Sequence, residues 1–329
     1  MADRLVPGQT PVKAPTKSPT PTVRTKAQKK ADAAAAAAAA RAAKQAAAAK
    51  AAAARAALSG RPRGGSIKAP GVGVAAGGLF TPRSLAPLLW LDAADASTVT
   101  LAQPGNFVVG WADKSLNARN FVASGGERPT YLLSTRNGHN VFSHVTNCFC
   151  SHSAAGAWTF LHDGTTKYII CMAAKMTGNN YLMGNIDQNV GQNGALLLNR
   201  GGGNLSYVVQ GGGDWPDGPI RINSAGPPVM DNSWHVSSVV ADPGNAVKLS
   251  RATLQLDNGT KGSNNNPGAV TVSAVVKNFL YIGAGANNAG TPVGMWTGEM
   301  AEVVIVTGAN ATEANRDKLV TYLRDKWAL

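Results

Sequence analysis

Glu299 and Glu302 are the nearest approach in this sequence to a pair of carboxylates able to share one bond. Two carboxyl groups flanking a glycosidic bond can serve as acid and nucleophile. Three positions apart in a strand, these two are expected on opposite faces, which separates them. His144, His152 and His162 follow one another at intervals of eight and ten, with Cys148 and Cys150 between the first two. A metal site there would need neighbouring strands to converge. Polar histidines at strand ends and buried free thiols are the plainer reading. Cys148 and Cys150, at i and i+2 on one strand face, are poorly placed to bridge each other. The sequence has no Ser/His/Asp signal and no phosphate-cradling GxxxxGK[ST], and Gly201–Gly203 and Gly211–Gly213 read as loops. These residues assign no catalytic group, no metal and no cofactor, and a non-enzyme is expected. Contact with a sugar is a different chemistry, because it needs an aromatic face and convergent polar groups. Trp215 with Asp214 and Asp217 offers both in one loop, and residues 263–266 offer amides. Polar turns with one packed Trp are the structural alternative.

The elements that would position such residues are short. From Leu88 onward, apolar runs such as NFVVGW, YIICMAA, ALLLN, LSYVVQ, WHVSSVVA, AVTVSAVV, FLYIGAG and AEVVIV alternate with Gly/Asn/Asp clusters. β-Branched and aromatic enrichment marks them as strands. Asn137-Gly138, Asp163-Gly164, Asn193-Gly194, Asp217-Gly218 and Asn258-Gly259 favour turns with positive φ. Ten to fourteen strands without intervening helical periods predict an all-β, antiparallel jelly-roll sandwich. One short C-terminal helix is expected. It opens near Thr312 and carries Leu319, Val320, Leu323 and Trp327 as an apolar stripe that packs on the sandwich.

The N-terminal quarter is another kind of chain. The formal net charge of the 329 residues is +13, and residues 1–68 hold 14 Lys and Arg against Asp3 and Asp32. The body that follows is nearly neutral. Residues 1–24 form an extended Pro/Thr/Lys-rich arm. Residues 25–59 predict a long Ala-rich basic helix, with 21 Ala among positions 31–57. Lys26, Lys30, Arg41, Lys44 and Arg55 fall on one side of it at 100° per residue. Residues 60–82 are a Gly/Pro linker, and 83–329 form the jelly-roll domain. An Ala surface suits close packing, so the basic stripe is assigned to anchoring on a partner. Sequence-blind contact with nucleic acid, a solvated spacer and a targeting segment are the alternatives. No apolar run is long enough to cross a membrane, and no secretory h-region opens the chain. Three Cys cannot all pair.

Three segments carry a resemblance. They are LWLDAADAST at 89–98; VVGWADKSLN at 108–117, followed by Arg128-Pro129-Thr130-Tyr131 and NGHNVF at 137–142; and GEMAEVVIV at 298–306 with the closing YLRDKW at 322–327. In order and spacing this resembles the concanavalin A-like lectin/glucanase jelly roll in its laminin-G-like form, of the type found in bacteriophage structural proteins. Two positions depart from the pattern. Leu116 stands where a Gly follows the WxDkS turn, and Phe142-Ser143-His144 stands where Phe-Asp-Gly is usual. Glycosidases of this fold use E-x-D-x-E on one strand, which is absent here, and Glu302 matches a structural position. Trp90 and Trp111 are expected as packing residues, and Asp92, Asp95 and Asp113 as turn caps. The resemblance implies a non-enzymatic virion structural protein at the particle surface: a capsid decoration, head fibre or spike. Its arm would hold the major capsid protein or another virion protein, and the chain would be a homo-oligomer, with a trimer as first expectation. The alternatives are a glycan-binding adhesin or receptor-binding protein, and an internal virion protein whose arm contacts packaged DNA.

Overall fold

The computed structural model describes residues 80–329 apart from 103, 124–127, 146, 179, 187–193, 200–204, 211–219, 224–230, 244, 248–249, 264–278 and 288–289. The arm, the expected helix over 25–59 and its five basic residues Lys26, Lys30, Arg41, Lys44 and Arg55 lie outside the described residues. So do Asp214, Trp215, Asp217, the AVTVSAVV run and most of the 263–266 amides.

Nineteen strands occur among the described residues, more than the runs alone suggest, because several pairings are only two or three residues long. They are β1 Leu89–Asp92, β2 Val99–Leu101, β3 Val108–Trp111, β4 Phe121–Val122, β5 Thr130–Arg136, β6 His139–His144, β7 Cys150–His152, β8 Tyr168–Met176, β9 Asn180–Gly184 and β10 Gly194–Asn199. Then follow β11 Leu205–Gln210, β12 Ile220–Asn223, β13 Trp234–Ala241, β14 Ala252–Leu256, β15 Gly262–Ser263, β16 Leu280–Ile282, β17 Gly285–Ala286, β18 Pro292–Val293, β19 Gly298–Thr307 and the helix α1 Glu313–Trp327. Gly194, read from sequence as part of a turn, instead opens β10.

Seventeen of the strands form two antiparallel sheets, and β17 and β18 pair with each other in a small third one. The first runs β15-β14-β13-β8-β19-β6-β5, with β1 also on β19, and the second runs β12-β11-β10-β9-β16-β7-β4-β3-β2. The fold is an all-β jelly-roll sandwich with a short C-terminal helix. The hairpin between β5 and β6 shows how locally its turns are set. Asn137 and Gly138 have φ of 49° and 74°, the two left-handed positions that a two-residue turn between twisted strands requires.

Alternation explains both faces of the first sheet. In β8, Tyr168, Ile170, Met172, Ala174 and Met176 enter the core between the sheets, packed with Trp111, Phe121, Phe142, Val303 and Ile305. Ile169, Cys171 and Ala173 point the other way and meet Val304, Val306, Leu319, Val320, Leu323 and Trp327 under the helix. A strand buried on both faces must be apolar at nearly every position, which is why YIICMAA and VVIV read as unbroken runs, and the buried Glu302 beside the second needs polar partners. The helix starts where Thr312 accepts a hydrogen bond from the Asn315 N–H. Its four apolar stripe residues are buried as the spacing predicts, each contributing about 1.5–3 kcal/mol. Among the described residues no helix is long and apolar enough to cross a membrane.

Candidate functional site

The three segments that carried the resemblance meet in one buried polar cluster. Glu302 in β19 is fully buried. It accepts hydrogen bonds from Trp90 Nε1 at 2.6 Å, Trp327 Nε1 at 3.0 Å, the Tyr322 hydroxyl at 3.0 Å and Lys326 Nζ at 2.6 Å. Lys326 Nζ also reaches Asp92 Oδ1 at 2.7 Å, and Lys114 Nζ reaches Asp92 Oδ2 at 2.7 Å. Burial raises the Glu302 carboxyl above its ordinary value and Asp92 adds to this, against the pull of Lys326. Burial opposes the charge on Lys114, yet Asp92 and Asp95 raise its affinity for the proton. Glu302 is thus saturated by four donors with no opening to solvent, so it serves as a structural tie. The expected turn caps are in place. Asp95 accepts from the Ser97 N–H, and Asp113 from the Trp90, Ser115 and Arg119 N–H groups. Asp92 caps Ala94 as expected and is also an ion-pair centre, which the sequence did not indicate.

Glu299 and Glu302 do not follow the period of two. The register slips between Met300 and Glu302, so Met300 pairs with Ala174 and Glu302 with Ala173. The bulged residue returns both glutamates to the outer face of the sheet. Glu302 lies under α1, while Glu299 lies on the uncovered part.

That uncovered part carries an ordered polar row. Thr130 pairs with Ser143, Ser143 with Glu299, Glu299 with Lys175, and Lys175 with Trp234. Five adjacent strands therefore present Thr130, Ser143, Glu299, Lys175 and Trp234 side by side, over about 19 Å at roughly 4.8 Å per strand. A cleft of about 550 Å³ lies at its Trp234 end, lined by Thr135, Lys175, Asn232, Ser233, Trp234 and Glu299 together with Arg136 and the chain end. Glu299 Oε1 accepts from Lys175 Nζ at 3.2 Å, whereas Oε2 is buried and has no hydrogen-bond partner among the described residues. Trp234 is half-buried and lies parallel to Trp327, ring centroids 6.5 Å apart. Arg136 is spent on the helix end, donating from Nε to the Trp327 carbonyl at 2.7 Å and from a guanidinium nitrogen to that of Ala328.

Searches for related chains found no matching family model and no matching curated protein. Among solved structures the chain is similar to the CBM40 of the Ruminococcus gnavus IT-sialidase bound to α2,3-sialyllactose, at 13% identity over 53% of this chain and 91% of that one, TM-score 0.37. It is similar to an arabinofuranosidase complexed with arabinofuranosyl-α-1,2-xylobiose, at 13% identity over 74% and 59%, TM-score 0.45. It is also similar to domains LG4-5 of the mouse laminin α1 chain, at 15% identity over 43% and 35%, TM-score 0.29.

The turn bearing Asn232 and Ser233 is braced from behind by His235. Its Nδ1 lies 2.8 Å from Asp257 Oδ2 and its Nε2 3.0 Å from Asp231 Oδ1, and Asp231 also accepts from the Ser233 N–H at 2.8 Å. The hydrogen bond to Asp257 raises the imidazole pKa most, burial opposes it, and Asp231 adds to it. A raised folded value stabilises the fold fully below about 6.5, the ordinary imidazole value, and that stabilisation is lost as pH rises through the folded value. His235→Gln is therefore expected to destabilise more at pH 5.5 than at pH 9. Urea titrations at the two pH values check this, and an equal loss at both would show that the imidazolium is not the form bound.

The other histidines are not brought together. His144 is buried against Trp296, its Nδ1 3.2 Å from the Cys148 carbonyl, and burial lowers its pKa to about 4. His152 Nδ1 accepts from Trp158 Nε1, and His162 is buried after the 155–161 turn. Among the described residues no group of three His, Cys, Asp or Glu could hold a metal. The three cysteines form no disulfide and are buried, and burial pushes Cys150 and Cys171 up to about 12.

Sequence reasoning passed over Lys175 and Trp234, and weighed Glu299 only as half of a carboxylate pair with Glu302. One signal was present: Lys175 is the single charged residue in an otherwise apolar nine-residue strand. Its partners came from strands 59 and 124 positions away.

Proposed function

We propose that this chain is a non-catalytic glycan-binding protein that uses the polar row and cleft on the outer face of its first sheet. The observation that carries the reading is the cleft itself. A half-buried indole, an amide, hydroxyls and the Glu299 carboxylate line one cleft on a sheet face. An indole packs against the C–H face of a sugar while polar groups meet its hydroxyls, and a few placed polar groups on a pre-formed concavity suffice for orientation. Glycosidic hydrolysis needs a second carboxylate at 5–10 Å. Among the described residues, Glu299 is the one carboxylate side chain that lines this cleft, which supports binding over cleavage. The named ligands of the similar sialidase module and arabinofuranosidase are sugars, in keeping with this reading. A glycan array probed with full-length protein is the test. Trp234→Ala is expected to lower the affinity for any hit by about tenfold or more, the loss of roughly 1.4 kcal/mol. Binding untouched by that substitution would move the site elsewhere.

The charge division of the sequence favours a second element of the proposal. Nearly all of the +13 lies in residues 1–68. The basic arm would fasten the chain to a larger particle, as in a virion decoration, head fibre or spike, with the sandwich displayed outward. An extended arm covers much surface while it orders on a partner. Full-length protein with Lys26, Lys30, Arg41, Lys44 and Arg55 changed to Gln is expected to lose attachment to particles. A steep fall in attachment between about 50 and 200 mM salt would instead identify nucleic acid as the arm's partner.

A further inference from the structure

We infer that the ligand of this face is a neutral oligosaccharide laid across the strands, one that donates a hydroxyl to Glu299 and carries no carboxylate. The inference rests on the glycan reading above and adds the ligand's charge class and its direction.

Charge compensation in and around the cleft is the first ground. Lys175 is paired with Glu299. Two arms of Arg136 are committed to the carbonyls of Trp327 and Ala328. His235 behind the turn faces two carboxylates, Asp231 and Asp257. Recognition of a sialic or uronic acid calls for a cation free to meet its carboxylate in a forked or charge-assisted pair. Both cations that line the cleft among the described residues, Lys175 and Arg136, are already engaged.

The second ground is the unmet acceptor. Glu299 Oε2 is buried without a donor among the described residues, and a buried carboxylate oxygen left unpaired costs free energy that a sugar hydroxyl would recover once the side chain turns toward it. A hydroxyl offers the missing proton. A second carboxylate would instead place like charge against Glu299 in a partly desolvated cleft.

Direction follows from register. The polar residues continue from the cleft through Glu299 and Ser143 to Thr130, perpendicular to the strands. Beyond the cleft a single sugar unit leaves Ser143 and Thr130 unused, whereas a chain of several units meets the hydroxyls of both.

The experiment is a printed array of neutral oligosaccharides of increasing length beside their sialylated and uronic-acid-bearing counterparts, probed with full-length protein and followed by calorimetry on the best hit of each class. Neutral probes are expected to bind, more tightly as length grows, and the acidic counterparts at least about tenfold more weakly. Glu299→Gln should weaken the neutral hit and narrow the neutral-to-acidic ratio, since it removes the repelling charge. Asn232→Ala, on an exposed turn, supplies a second variant that leaves the sheet intact and should also weaken the neutral hit. Preference for acidic probes, or a ratio unmoved in Glu299→Gln, overturns the charge-class inference while the glycan reading stands. Absence of binding to every probe overturns both.

Discussion

Lys326→Met is expected to lower folding stability by about 3–5 kcal/mol, the range for breaking a buried ion pair from one side. The ammonium stands between Asp92 Oδ1 at 2.7 Å and Glu302 Oε2 at 2.6 Å, and both carboxylates are buried. Its removal leaves Glu302 with neutral donors only, in a place where burial already disfavours its charge. The loss should therefore shrink at acid pH, where Glu302 can take up a proton. Replacing all three groups together, as Lys326→Met with Asp92→Asn and Glu302→Gln, should regain part of it, because no unpaired charge is then buried. Urea denaturation of the single and triple variants decides the matter. A single variant within about 0.5 kcal/mol of the parent would mean that the cluster does not hold the helix.

Trp327→Ala should cost a comparable amount, about 3–5 kcal/mol, the usual range for truncating a fully buried Trp. The indole closes the helix stripe, donates to Glu302 at 3.0 Å and lies parallel to Trp234. Trp327→Phe keeps most of the packing and removes the donor, so a smaller loss of about 1–2 kcal/mol is expected. The pair of variants separates packing from hydrogen bonding by thermal or urea unfolding. Trp327→Ala should also weaken glycan binding, because it removes the ring beside Trp234. Equal stability of the Ala and Phe variants would show that packing against the sheet contributes little.

These two residues connect the fold to the proposed site. The helix packs on the outer sheet face and its last turn ends beside the cleft, where Arg136 donates to the carbonyls of Trp327 and Ala328. Without the helix the polar row would border an exposed apolar surface of Ile169, Cys171, Val304 and Val306. With it, those apolar residues are covered, and the row beside them carries polar side chains.

Much of this was legible in the residues themselves. The sandwich, the strand runs, the Asn137-Gly138 hairpin, the helix with its stripe at Leu319, Val320, Leu323 and Trp327, and the caps at Asp95 and Asp113 are all local. Each follows from backbone preference or from a periodicity of 2 or 3.6 within a few neighbouring positions. The buried cluster was present only as three resembling segments, since Trp90 and Glu302 stand 212 positions apart and Asp92 and Lys326 stand 234 apart. No periodicity couples positions so distant. The outer face of Glu299 depended on one extra residue in β19, which alternation cannot register. The row from Thr130 to Trp234 required five strands from across the chain to settle in a single register. That pairing is fixed by which apolar faces can be buried together, so it was decided by the tertiary structure alone.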